Sequence, residues 1–132
     1  MTIAVDFDGT IVENKYPDIG KERDFAIQTL RTLQREGNRI ILFTSREGEK
    51  LDAAVEFCHK RGLDFYAVNS NQPDDALFQH HTSKVIADLY IDDRNLGGIP
   101  DWLTIYEVIT HQRADRHAMR KRTRAWGLFR KK

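Results

Sequence analysis

Cysteine is nearly missing from this chain: Cys58 is the single one among 132 residues. An internal disulfide and a zinc site built from cysteines are therefore both excluded. Long hydrophobic runs are missing too. The longest unbroken apolar stretches are the four residues Ile40 to Phe43 and the four from Phe65 to Val68, far short of the roughly 20 needed to span a bilayer as a helix. The first residues read at once as a strand, so no leader segment is expected. There is no internal repeat and no low-complexity stretch. These absences lead us to expect a cytoplasmic protein with no membrane partner. What is present is ordinary for a folded domain, at 40% hydrophobic and 31% charged residues. A chain of this size buries roughly 68–70% of its unfolded surface, so it needs no disulfide or metal to hold it together.

Net charge is only +1, yet it is unevenly spread: residues 113–132 carry nine Lys/Arg against Asp115, or +8, which leaves −7 on the rest. The expected organisation is therefore an acidic domain at 1–112 followed by a basic C-terminal extension at 113–132.

Within 1–112, strand and helix patterns alternate. Thr2 to Phe7 is a β-rich run, and Asp8 to Gly20, with Gly9, Pro17 and Gly20, reads as turn and loop. Ala26, Ile27, Leu30 and Leu33 recur at helical spacing within a helix expected from about Lys21 to Glu36, which Gly37 stops. A buried strand follows at Arg39 to Phe43. Leu51, Ala54, Val55 and Cys58 then mark a second amphipathic helix ended by Gly62, with Cys58 on its buried face. Asp64 to Val68 is a third strand, residues 69–83 are polar loop, and Val85 to Ile91 supplies a fourth strand, at least from Ala87 onward. Trp102, Ile105, Tyr106 and Ile109 give a third helix, with Asp101 placed to cap it. Such alternation predicts βαβ units and a small three-layer αβα, Rossmann-like domain with a parallel sheet. Chemistry in such sheets collects beyond the carboxyl ends of the strands.

Those ends are acidic. The first strand runs into Asp6-Phe7-Asp8-Gly9-Thr10, the fourth into Asp92-Asp93, and the second into Thr44-Ser45-Arg46. Four aspartates at one edge repel one another unless a cation or protons compensate. Carboxylates without nearby His or Cys suit a hard ion such as Mg²⁺, which keeps waters and accepts phosphate oxygens as further ligands. The Thr44 hydroxyl, with backbone N–H groups around Gly9 and at the start of the second helix, would suit those phosphate oxygens. The residues point to phosphoryl chemistry.

AVDFDGT at 4–10, IILFT at 40–44 and YIDD at 90–93 resemble motifs one, two and four of the haloacid dehalogenase superfamily of phosphohydrolases, in the same order and strand placement, over about residues 2–110. The resemblance implies a core strand order of 3-2-1-4. It implies a Mg²⁺-dependent phosphomonoester hydrolase in which Asp6 attacks phosphorus to form an aspartyl-phosphate. Asp8 would protonate the leaving oxygen and later deprotonate the attacking water. Mg²⁺ would be held by Asp6, the backbone carbonyl of Asp8, and Asp92, with Asp93 close by. Thr44, Gly9 and Thr10 would serve the phosphoryl group and the tight turn around it. The family's lysine falls to Lys84 by order, with Lys15 and Arg46 as alternatives. Lys84 can serve only if the fourth strand starts near Ala87 and the chain folds back, since eight residues of continuous strand would separate it from Asp92 by about 26 Å.

The gaps where larger relatives insert a cap, Ile11 to Gly20 and Asn69 to Ser83, are too short for a domain, so a cap-less member is expected. An open site admits small phosphorylated molecules or macromolecules, and an oligomeric partner can supply the missing cover. Tyr16, Pro17, Asn69, Asn71 and His80-His81 would rim it. The basic tail, with Trp126 and Phe129, admits three uses: phosphate-backbone binding with base stacking, a helical extension docked on the body, or a dimer contact. A phosphatase of polynucleotide ends is thus one alternative, and a non-catalytic phospho-ligand-binding domain another. A response-receiver module is disfavoured because the third strand ends Val68-Asn69-Ser70, without the acid such modules phosphorylate.

Overall fold

Four short aliphatic runs form strands β1 (Thr2–Val5), β2 (Arg39–Leu42), β3 (Ala67–Val68) and β4 (Leu89–Ile91) in the computed structural model, which describes residues 1–73 and 85–112. Lys84, the His80-His81 pair and the 113–132 extension lie outside the described residues. The strands make one all-parallel sheet in the order β3-β2-β1-β4, the expected Rossmann-like arrangement. Ile3, Ala4 and Val5 of β1 and Ile40, Ile41 and Leu42 of β2 are wholly buried. That is why these strands are apolar at every position rather than at alternate ones.

Among the described residues, two helices alternate with the first three strands. Helix α1 (Ala26–Arg35) buries Ala26, Ile27, Leu30 and Leu33, the predicted stripe. It starts about five residues later than its composition suggests. Residues 21–23 are instead tied to the loop after β1: the Glu13 N–H donates to Lys21 O and the Arg23 N–H to Ile11 O, each at 2.8 Å, and Phe25 turns into the left-handed region at φ 66°. Helix α2 (Gly48–Lys60) buries Ala54 and Cys58 and half-buries Leu51 and Val55. Gly62 ends it at φ 85°, as expected. Burial pushes the Cys58 thiol up to about 12, so it behaves as core.

β3 and β4 are shorter than the apolar runs that announce them. Residues 85–87 do not extend β4. Val85 instead joins Ala4, Ile41 and Ala67 in a buried cluster, while the Tyr90 hydroxyl donates to Val85 O and accepts from the Ala87 N–H. The chain thus folds back just before β4.

The chain divides into two compact units, Met1–Ile99 and Pro100–Lys132. The charge boundary at 113 therefore falls inside the second unit, whose described part is helix α3 at residues 102–112. Asp101 caps α3, accepting from the Thr104 N–H and hydroxyl at 2.9 Å each. Trp102, Ile105 and Ile109 are buried, as their spacing predicts. Among the described residues no helix is long and apolar enough to cross a membrane.

Candidate functional site

Register sets the level of the site. Val5 pairs with Leu42 on one side and with Ile91 on the other, so β1, β2 and β4 end together. The Asp6 N–H still donates to Ile91 O at 3.0 Å and the Phe43 N–H to Val5 O at 2.8 Å. Asp6, Thr44 and Asp92 therefore emerge along one edge. They share a cavity of about 320 Å³ with Asp8, Asn14, Tyr16, Phe43, Ser45 and Arg94.

Three of the four predicted aspartates converge. Asp6, Asp92 and Asp93 each offer a carboxylate oxygen within 4.8 Å of the others. The group is held by Thr10, whose hydroxyl lies 3.1 Å from Asp6 Oδ2 and 3.4 Å from Asp93 Oδ1 and accepts the Asp93 N–H at 3.1 Å. Burial above all, then the hydrogen bond that the protonated Asp6 donates to Asp93 and the charge of Asp92, raise the Asp6 carboxyl to about 7. The donor set is all oxygen and overcrowded with negative charge, which fits a small hard cation.

Gly9 permits this crowding. A Cβ there would lie 2.3 Å from Asp93 Oδ2, and the residue sits at φ +85°. Its N–H is spent on Val12 O at 2.8 Å, and the Thr10 N–H on Phe7 O at 3.2 Å. The expectation that Gly9 and Thr10 present donors to phosphate is thus corrected. The turn consumes those N–H groups, and the wholly buried Thr10 serves the aspartates. Nor do residues 48–51, at the start of α2, line the cavity.

Asp8 stands apart from the cluster, both of its oxygens accepting from Arg46: Nε to Oδ2 and Nη2 to Oδ1, each at 2.7 Å. By sequence Arg46 is one alternative to the lysine. Its side chain is instead 1% exposed and committed to Asp8, and this attachment raises its own pKa further. Lys15, the other alternative, is exposed and does not line the cavity.

Thr44 half-faces the cavity. Its N–H donates to Asn69 Oδ1 at 2.8 Å and its hydroxyl oxygen accepts the Arg46 N–H at 3.1 Å, leaving the hydroxyl proton for an acceptor in the cavity. Asn69 and Asn71 are therefore braces rather than rim: the second exchanges two hydrogen bonds with the Ile86 backbone. Tyr16 does line the site, and so do Asn14, Phe43, Ser45 and Arg94. Sequence reasoning assigned these four no role. Ser45 was marked only by its place directly after Thr44, and Arg94 only by its place directly after Asp92-Asp93.

No protein-family model matches the chain, and no curated protein does. Among solved structures, that of a conserved protein from Bacteroides thetaiotaomicron is 58% identical, superposes with a TM-score of 0.79, and is matched over 85% of this chain and 91% of its own length. Identity that high over nearly both lengths leaves no doubt about kinship: the chain belongs to the family of this conserved Bacteroides protein.

Proposed function

We propose that the chain is a Mg²⁺-dependent phosphomonoester hydrolase of the haloacid dehalogenase type, working through an aspartyl-phosphate on Asp6. The observation that carries the reading is the convergence of Asp6, Asp92 and Asp93 within 4.8 Å at the edge of a cavity that also holds Asp8 and Thr44. In the first step an Asp6 oxygen attacks phosphorus, the ester P–O bond breaks, and Asp8 gives its proton to the departing oxygen. In the second step water gives a proton to Asp8 and attacks the same phosphorus, the P–O bond to Asp6 breaks, and phosphate leaves. The Thr44 hydroxyl donates to a phosphoryl oxygen. Arg94, exposed on the cavity wall and in no ion pair among the described residues, offers its guanidinium to the incoming dianion. Mg²⁺ bound by Asp6, Asp92 and Asp93 would supply the charge that screens the nucleophile from phosphate and stabilises the transition state.

Hydrolysis of p-nitrophenyl phosphate with and without Mg²⁺ tests this. The wild-type chain should release p-nitrophenolate only with the metal. Asp6→Asn should abolish turnover without lowering Tm, because an amide is a far weaker nucleophile. Undiminished metal-dependent turnover in that variant would remove Asp6 from its role.

A further inference from the structure

Arg46 is the most heavily engaged side chain next to the cavity, and phosphoryl transfer as written above gives it nothing to do. Its Nε and Nη2 donate to the two Asp8 oxygens at 2.7 Å each. Nη2 also donates to Asp18 O at 2.9 Å, and Nη1 to Pro17 O at 3.2 Å and Lys50 O at 3.4 Å. A guanidinium has five N–H groups, and these bonds use them all. The plane is flanked by aromatic rings, with the guanidinium carbon 5.3 Å from the centre of Phe7 and 5.1 Å from that of Tyr16. A group so fully bonded and 1% exposed has no donor left for a phosphoryl oxygen.

We infer that Arg46 is a positioning residue. Resting on the hydrolase reading, the inference is that Arg46 fixes the Asp8 carboxyl for proton transfer and fastens the 14–18 loop, with Tyr16, to the start of α2. The backbone supports this. Arg46 lies two residues past Thr44, and the Arg46 N–H bonds the Thr44 hydroxyl, so the end of β2 sets the phosphate contact and the clamp on Asp8 together. Two parallel N–H···O bonds fix a carboxylate in direction as well as distance. Lysine, a single point of charge on a flexible stem, cannot reproduce that fork.

Arg46→Lys tests the inference by pre-steady-state hydrolysis of p-nitrophenyl phosphate in Mg²⁺. p-Nitrophenolate needs no proton to leave, so the first step should survive and give a burst equal to the enzyme present. Steady turnover should fall about a hundredfold, the usual cost of a misplaced catalytic group, with KM and Mg²⁺ affinity unchanged. Unaltered steady turnover overturns the inference, as does a burst that falls in proportion to turnover. If the lysine variant does not fold, Asp8→Asn is compared with Asp8→Asn/Arg46→Gln, in which no buried charge stands alone. Equal bursts support action through Asp8, and a burst lost only in the double variant overturns it. A wild-type chain inactive in Mg²⁺ overturns the hydrolase reading itself, a result separate from all of these.

Discussion

Asp6 combines the most chemistry with the least comfortable surroundings. Its carboxyl is raised from 3.8 to about 7 by burial, by the hydrogen bond it donates to Asp93 when protonated and by the charge of Asp92. A folded-state value above the unfolded one contributes stability that is whole below pH 3.8 and is lost as pH climbs towards about 7. A cation among the three carboxylates reverses that trend, since it binds the ionised form. Mg²⁺ affinity should therefore rise with pH up to about 7 and then level. Below that point binding should release a proton, visible by calorimetry in buffers of different ionisation enthalpy. Asp6→Asn should flatten the profile, and a wild-type affinity indifferent to pH would contradict the arrangement. Gly9→Ala makes a second case. The new methyl would meet Asp93 Oδ2 at 2.3 Å on a backbone at φ +85°, so it should cost more than about 1 kcal/mol and weaken Mg²⁺ binding, both readable from Tm with and without the ion. Asp6, Asp92 and Asp93 were legible because strand ends and acid pairs leave a linear trace. The duties of Thr10 and Arg46 were not, since they depend on partners up to 83 residues away.

Elements were legible where burial follows a period. The stripes of α1, α2 and α3 and the glycine stops after α1 and α2 were all plain. The start of α3 was plain too, from its Asp101 cap, but that of α1 was not, because bonds distant in sequence such as Arg23 to Ile11 O override local preference. Strand lengths misled for a related reason: Val85 is apolar because it packs in the cluster over the sheet, not because it extends β4. One contact was invisible in any pattern. In the last turn of α2, His59 Nδ1 meets Asp64 Oδ1 at 2.5 Å, and this hydrogen bond, then the charge of Asp64, raises the imidazole above 6.5. The pair is exposed, so its effect on stability is small; the contribution is whole below 6.5 and fades as pH rises through the folded value. NMR titration should find His59 above 6.5, and Asp64→Asn should bring it down.

Across the whole molecule, charge is separated along the chain, −7 over 1–112 and +8 over 113–132. If the extension engages polynucleotide ends, oligonucleotide affinity should fall steeply with salt, as release of condensed counterions requires. Removing residues 113–132 should then abolish that affinity while leaving p-nitrophenyl phosphate hydrolysis intact. Binding that survives the deletion would assign nucleic acid no role for the tail. The sheet order was readable only through the resemblance, because periodicity names elements but not their neighbours.

The three-residue ladder that joins β4 to β1, Ile3 with Leu89 through Val5 with Ile91, is a short vernier for so exacting an alignment. Side chains alternate between faces along a strand, so a slip of one notch would set Asp93 or Ile91 where Asp92 now stands and turn its neighbours over. What prevents the slip is a latch at each end: the Asp88 N–H grips Thr2 O at 2.8 Å, and Asp93 locks onto Thr10.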